Sequence, residues 1–354
     1  MALKYLPLLA ALGAIQGVVA QLEAVAPLSR LASWSKVTVG TTPSNCLAAS
    51  TPGESLFTRV YYQSPDNHLR EACRNPGVNT WTHGTLSGGR PVTAAPNSPL
   101  AVLHWTDGGN NDVITLWYAD AAQQLTEKRF QNGTWGADRD LGVKVHINPS
   151  VPGSIAAVAE SPSGWVSVIY RDDINRVSVC RYLWSDLTMK CSAGVITSFD
   201  TALDGTSTAA FLDTDGPHLF YQATSTSVIN AAIELVPNGT AKWFLKTGFR
   251  NTAQGVQFAG YRGRYPGGEL QRFMLATTTD NNNVISQTYS RDYCGGWCTC
   301  YAATTPAVTS TIVGLAVSSC TSNQKAYWVT GSKIAEMTVE PVKGWQLSNG
   351  NILA

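Results

Sequence analysis

A short, aromatic-rich strand motif recurs six times at near-constant spacing, and that recurrence limits the possible folds more than any other feature. It reads VYYQ (60–63), LWYA (116–119), VIYR (168–171), LFYQ (219–222), FMLA (273–276) and YWVT (327–330). Tyr62, Tyr118, Tyr170, Tyr221, Leu275 and Val329 occupy one equivalent position, 51 to 56 residues apart. Before each motif lies a small apolar run, such as CLAAS (46–50), LAVLHW (100–105) or IVGLAV (312–317). After it an aromatic returns: Trp81, Trp135, Trp243, Trp297 and Trp345, with no Trp at that place in the third repeat. Strand–turn–strand content at a period near 50 is the signature of propeller blades, with the small residues on the crowded innermost strand. The expected fold is therefore all-β, a six-bladed β-propeller of four-stranded antiparallel blades over residues 44–354. About 330 residues would otherwise suggest two domains, but blades close into one ring.

The most informative stretch is Arg59 to Trp81, RVYYQSPDNHLREACRNPGVNTW. Arg59, Tyr61 and Gln63 alternate with Val60 and Tyr62, the period of a strand. Ser64, Pro65, Asp66 and Asn67 are turn chemistry. With the turn centred on Pro65, residues whose numbers sum to 130 face each other, which sets Arg59 opposite Glu71. Arg59 and Trp81 would donate to hydroxyl oxygens, Glu71 would accept from hydroxyl protons, and the Trp81 ring would cover an apolar C–H face. That set suits a sugar. The alternative is a surface ion pair beside a core tryptophan.

The pattern R-V-Y-Y-Q…L-R-E…W, the runs SPLAVLHW (98–105) and LGVKV (141–145), and the six repeats resemble the fungal fucose-specific lectins of the orange-peel mushroom type. The resemblance covers roughly residues 44–346 and is sharpest in the first two repeats. It implies sugar pockets between adjacent blades, each using an Arg on the second strand, a Glu or Gln twelve positions on, and then a Trp or Tyr. Arg59, Glu71 and Trp81 match all three. The resemblance also implies an L-fucose-containing glycan as ligand and an apolar wall from the neighbouring repeat for the fucose methyl.

The other repeats depart from the pattern. The second has Thr115, Glu127 and Trp135; the third has Ser167 and Val179; the fourth has His218, Asn230 and Trp243. The sixth has Ala326, Glu336 and Trp345. The fifth has Arg272, Gln287 and Trp297, with a turn stretched within TTTDNNN, and is the candidate second sugar site. One well-formed site, a second at the fifth repeat and four eroded ones are expected. Strong avidity would then need a homodimer.

Residues 1–20, MALKYLPLLAALGAIQGVVA, read as a secretory signal peptide with a small-residue cleavage site at Val18-Val19-Ala20. Residues 21–43 form an extension in which Trp34–Gly40 is a candidate strand for closing the ring. Eight cysteines in a secreted chain favour disulfides. Cys180 and Cys191 flank one hairpin and are a local pair, Cys294, Cys298, Cys300 and Cys320 cluster near the fifth repeat, and Cys46 and Cys73 are left to pair in the first. Asn132-Gly133-Thr134 and Asn238-Gly239-Thr240 are both hairpin-turn and glycosylation sequences.

Composition and motifs narrow the function. A net charge of +1 without basic or acidic runs excludes a nucleic-acid footprint and a polybasic membrane patch. No stretch after residue 20 is long and apolar enough to span a bilayer. No metal or cofactor is expected, since no histidine lies near CGGWCTC. Asp107, Asp172 and Asp213 sit in turns of different repeats and read as solvated turn carboxylates rather than a glycosidase pair. The expected protein is not an enzyme. It is a secreted lectin for fucosylated glycans or glycoproteins, with a propeller scaffold that has lost sugar binding as the alternative.

Overall fold

The structure is a computed structural model. It describes the chain between Leu47 and Thr338 except for some of the segments that connect strands. Beyond Gln222 side chains are described only at Ala259, Ala316, Ala326, Tyr327, Ile334 and Glu336. The expected signal peptide, the 21–43 extension, Cys46, Asp107 and Asn238 lie outside the described residues.

Six antiparallel sheets follow one another along the chain. The first holds β1 (Leu47–Ser50), β2 (Thr58–Gln63), β3 (His68–Arg74), β4 (Thr82–Gly84) and the short β5 (Val92–Thr93). The second holds β6 (Leu100–Thr106), β7 (Asp112–Ala119), β8 (Gln124–Gln131), the two-residue β9 (Thr134–Trp135) and β10 (Arg139–Lys144). The third holds β11 (Ile155–Glu160), β12 (Trp165–Arg171), β13 (Val177–Leu183) and β14 (Ser192–Val195). The fourth holds β15 (Ala209–Asp213), β16 (Gly216–Gln222), β17 (Ser227–Leu235) and β18 (Ala241–Arg250). The fifth holds β19 (Phe258–Arg264), β20 (Leu270–Thr277), β21 (Val284–Ser290) and β22 (Gly296–Tyr301). The sixth holds β23 (Ile312–Ser319), β24 (Gln324–Thr330) and β25 (Lys333–Thr338). The first strands β1, β6, β11, β15, β19 and β23 touch in that order, and β23 returns to β1. The result is a closed six-bladed propeller whose blades begin where the small apolar runs predict. Among the described residues no helix is long and apolar enough to cross a membrane.

One turn recurs between the second and third strands of the first three blades. In each, the amide of its fourth residue donates to the carbonyl of its first: Asn67 to Ser64, Gln123 to Asp120, Asn175 to Asp172, at 2.8 Å every time. Asn67, Gln123 and Asn175 are left-handed, with φ of 62°, 62° and 67°. This is the three-residue hairpin loop, a type I turn closed by a left-handed residue. The first residue's side chain caps it: Asp120 accepts the Ala122 and Gln124 amides, and Asp172 those of Ile174 and Arg176. Asp172 is thus a turn residue, as its sequence context suggests. In the first blade Ser64, His68 and Arg70 all bond Asp66, and the Ser64 hydroxyl, then His68, hold its carboxyl well below its usual range. Asn132 and Gly133, with φ of 53° and 77°, make the expected two-residue turn between β8 and β9. Asn132 is exposed there.

The loop centres the first hairpin on Asp66 rather than Pro65. Facing residues therefore sum to 132, and Arg59 pairs with Cys73 while Glu71 pairs with Tyr61. A shift of two in the sum keeps every side chain on its expected face.

The faces of adjacent blades pack to form the core. Tyr61 and Leu69 of the first blade meet Ile114, Leu116 and Tyr118 of the second. Trp117 and Leu125 of the second meet Val168, Tyr170 and Tyr182 of the third. Ile169 and Val177 of the third meet Leu219 and Tyr221 of the fourth. The ring closes through Val60, Tyr62 and Ala72 against Ala316, Tyr327 and Ile334. An ion pair crosses that last seam: Arg74 Nη2 lies 2.9 Å from Glu336 Oε2, both side chains buried. Linkers are tied in by backbone bonds such as Ala95 N–H to the Ala119 carbonyl at 2.9 Å. Buried Gln63 spans one of them, donating to the Ala95 carbonyl and accepting from the Ser98 amide.

Cys180 and Cys191 form the expected local disulfide. Cys73 does not pair as expected. It is a free thiol facing the second blade, where its Sγ donates to Glu71 Oε1. Cys298 and Cys300 lie on β22 without described side chains, and Cys294 and Cys320 lie outside the described residues.

Two outcomes are expected. Reducing the Cys180–Cys191 bridge, which closes an 11-residue separation, should remove about 3 kcal/mol and lower the calorimetric melting temperature. An unchanged melting point in the Cys191→Ser variant would contradict it. Arg74→Ala leaves a buried carboxylate without its cation and should cost roughly 3–5 kcal/mol in urea unfolding, while Arg74→Met combined with Glu336→Met should recover most of that loss.

Candidate functional site

The seam between the first and second blades brings together Arg59 from β2, Glu71 and Cys73 from β3, Phe130 from β8 and Trp135 from β9. Arg59 and Glu71 are diagonal neighbours on one face, a separation that a long side chain spans. Arg59 Nη1 donates to Glu71 Oε1 at 2.6 Å. Its guanidinium lies over the Phe130 ring, 4.7 Å from the centroid. Trp135 tilts against Phe130 at 5.4 Å and meets Tyr61 edge-on at 5.9 Å. Arg59 keeps 20% of its side-chain surface and Glu71 only 3%, so the donor stands at the mouth and the acceptor at the base. Glu71 Oε2 is buried there with no hydrogen-bond partner.

The electrostatics follow from that burial. Burial works against the Arg59 charge, and Glu71 more than offsets it, so the Arg59 pKa is raised. Burial and the Glu71 carboxylate push the Cys73 thiol up to about 12, keeping it protonated. Burial, with Glu71 behind it, pushes the Tyr61 phenol well up.

Trp81 stands on the other face of the first blade. Thr82 pairs with Cys73 and His83 with Ala72, so alternation sends Trp81 to the side of Ala72 and Arg74. It packs edge-on against Tyr327 of the sixth blade at 6.3 Å, beneath the Arg74 guanidinium at 4.9 Å. Its indole nitrogen is buried with no hydrogen-bond partner. The aromatic that Arg59 lies over is instead Phe130, one repeat later, with Trp135 packed against it. The neighbouring-repeat wall expected from the sequence is Phe130 with Trp135.

The second seam is rebuilt rather than stripped. Thr115 does lack the arginine, but it pairs directly with Arg129 across β7 and β8. Arg129 Nε donates to Glu127 Oε1, and its guanidinium covers Trp184 at 4.8 Å. Arg139 Nη1 reaches Glu127 Oε2 at 3.5 Å and stacks on Tyr182 at 5.1 Å. Trp117 Nε1 donates to the Tyr182 hydroxyl at 2.8 Å, and that hydroxyl donates to Glu127 Oε2. The third repeat repeats the exchange: Ser167 pairs with Arg181, which lies over Trp165 at 4.5 Å, and Val179 replaces the acid.

The remaining seams differ again. His218 is fully buried, with Asn230 at the diagonal register position. In the fifth blade Arg272 pairs with Tyr289, and Gln287 pairs with Met274. Gln287 therefore bears the same diagonal relation to Arg272 as Glu71 to Arg59, and the longer turn leaves that relation intact. Trp297 pairs with Tyr289. In the sixth blade Glu336 pairs with Tyr327, so the Arg59 equivalent is Lys325 rather than Ala326. Arg74, Arg129, Arg181 and Trp184 were not singled out by the repeat pattern. The signal for two of them was present: an arginine stands two residues after Glu127 and after Val179.

No family model matches the chain. A fucose-specific lectin of Aleuria aurantia is 25% identical over 144 residues, 41% of this chain and 42% of the relative, so the match spans less than half the relative's length. The solved Aleuria aurantia lectin, described as a six-bladed β-propeller with a novel fucose recognition mode, superposes with a TM-score of 0.66. Identity is 20%, over 89% of this chain and 98% of that one. AofleA from Arthrobotrys oligospora gives a TM-score of 0.66 at 15% identity, over 90% and 88%. The BP39L lectin of Burkholderia pseudomallei gives 0.57 at 14%, over 85% and 82%. These likenesses agree with the six-bladed fold. The sequence match and the superpositions together support the resemblance to fungal fucose-specific lectins.

The site's electrostatics can be read through its thiol. Glu71→Gln removes the negative charge beside Cys73, so the thiol pKa should fall and alkylation of the folded protein near pH 9 should speed up. Maleimide kinetics unchanged by the substitution would show that burial alone sets the thiol.

Proposed function

We propose that this chain is a secreted carbohydrate-binding protein that takes L-fucose-containing glycans in the seam between its first and second blades. The observation that carries the reading is Glu71 Oε2, a buried acceptor with no partner, set beside a guanidinium that lies over Phe130. A buried unpaired acceptor costs roughly 1–3 kcal/mol, and a sugar hydroxyl would remove that cost. Arg59 donates to neighbouring ring substituents, Glu71 accepts from a hydroxyl, and Phe130 and Trp135 offer the apolar surface for the sugar's methyl and C–H groups. Similarity to proteins named as fucose-specific supports fucose as the sugar.

The Cys180–Cys191 bridge and the exposed Asn132 sequon support secretion. The Arg272–Gln287 register supports a second fucose site between the fifth and sixth blades. One or two fucose equivalents per chain are expected, with weak or no cross-linking of cells unless the protein forms a homodimer.

Calorimetry with methyl α-L-fucoside tests the site. Arg59→Lys should weaken binding nearly as much as Arg59→Ala, because an ammonium cannot reproduce a planar donor fork. Arg59→Ala should also destabilise the fold, because Glu71 loses its cation, whereas Lys keeps a charge nearby. Trp135→Ala should weaken binding and Trp81→Ala should not. A Lys variant within twofold of wild type, or four or more equivalent sites by equilibrium dialysis, would refute this account.

A further inference from the structure

We propose that Asn132 carries an N-linked glycan that regulates the seam between the first and second blades, restricting it to fucose on small carriers. The proposal rests on the reading of the chain as secreted and fucose-binding.

The sequon Asn132-Gly133-Thr134 occupies the hairpin that supplies half of that seam. Strands β8 and β9 pair Phe130 with Trp135 and Gln131 with Thr134, so Asn132 and Gly133 are the whole loop. The two rings at the base of the hairpin form the wall that faces the first blade. The Arg59 guanidinium lies over Phe130 at 4.7 Å, and Trp135 packs on both Phe130 and Tyr61. From Phe130 to Asn132 the chain advances two residues, roughly 7 Å of strand.

The tip is open to solvent. Asn132, Gly133 and Thr134 are all exposed, and a side-chain carbon at Gly133 would meet nothing within 4 Å. Asn132 is left-handed, with φ of 53°, a conformation that asparagine tolerates better than most residues. The residue the turn favours is thus the one the sequon modifies. The Thr134 hydroxyl donates to the Gln131 carbonyl at 3.3 Å and leaves the Asn132 side chain out of the loop's bonding. Attachment joins the Asn132 amide nitrogen to C1 of an oligosaccharide delivered on a lipid diphosphate. The C1–O bond to the diphosphate breaks, the lipid diphosphate leaves, and the amide gives up a proton.

A glycan is bulky and stays in solvent. Anchored at the tip, it stands in front of the seam, whose mouth is marked by Arg59 with 20% of its side chain exposed. A monosaccharide held between Arg59, Glu71 and Phe130 needs only the seam itself. A fucose on a branched glycan also needs room beyond the mouth for everything attached to it, and there it meets the Asn132 glycan. Selectivity then comes from exclusion of the larger ligand, without any added contact to the smaller one.

The test uses the full chain secreted by a eukaryotic host, with Arg272→Ala removing the candidate second site. Peptide mapping after release by peptide N-glycosidase should find Asn132 converted to aspartate. Calorimetry then compares methyl α-L-fucoside with a biantennary N-glycan carrying core fucose. Thr134→Ala abolishes the sequon and leaves Asn132 and Gly133 in the turn. It should bind the branched glycan roughly fivefold or more tighter than the glycosylated parent, with methyl fucoside affinity unchanged within about twofold. Thr134→Ser keeps the sequon and should behave as the parent. Enzymatic release of the glycan from the parent should reproduce Thr134→Ala, which separates the glycan from the lost hydroxyl. An unmodified Asn132, equal branched-glycan affinity in parent and Thr134→Ala, or tightening that the enzyme-treated parent does not show would each overturn the proposal. Methyl fucoside binding in those cases leaves the fucose reading standing. Methyl fucoside binding absent from every form, the unglycosylated included, would sink that reading and this proposal with it.

Discussion

The seams depend on a single backbone hydrogen bond repeated from blade to blade, between the first and fourth residues of the turn that joins the second and third strands. It admits three loop residues and demands a left-handed one at the end, supplied by Asn67, Gln123 and Asn175. Hairpin register follows from loop geometry alone, and register decides which side chains share a face and which stand one step apart. Arg59 and Glu71 therefore meet on the diagonal. The directly facing position is left to Cys73, whose thiol donates to the same Glu71 oxygen as Arg59 and leaves the other without a partner.

That geometry makes two positions interchangeable as sources of a cation. A guanidinium on the second strand at 59, or on the third strand at 129 or 181, projects from facing residues into the same seam. The outcome is not equivalent. From the second strand the arginine approaches the carboxylate diagonally and leaves one oxygen without a partner. From the third strand it lies two residues from its acid, and in the second blade Arg139 and Tyr182 fill the rest. The sixth blade follows another route: Glu336 is met by Arg74 of the first blade, at the position held by aromatic Phe130 in the second blade. Blades with similar backbones thus pair their carboxylates differently.

Much of this was legible in the sequence. The repeat period located all six inner strands, and alternation put Arg59 and Glu71 on a common face despite a turn centred one residue too early. Trp81 was misplaced because a linear motif joins residues of one repeat, whereas a seam joins two. The ring that Arg59 lies over comes from the next repeat, Phe130, with Trp135 against it. Arg129 and Arg181 escaped because a comparison column by column scores Thr115 and Ser167 as losses, and only cross-strand pairing reveals what faces them. Lys325 escaped for a similar reason, since a shorter turn moves the column by one. Cys73 looked like half a bridge because a cysteine count cannot see a buried carboxylate two residues away.

The Arg74–Glu336 contact has a mechanical implication. A ring of six sheets has six joints, yet the described chain passes through only five of them on its way from the first sheet to the last. At the sixth joint nothing covalent among the described residues bridges the gap, and a clasp of opposite charges with a hydrophobic backing does the work of a hinge pin. Tension applied to the two ends of the propeller would be focused on that joint while the other five are still spanned by their linkers. A peptide connection built across it would let the chain be opened elsewhere, with each blade still meeting its original neighbours.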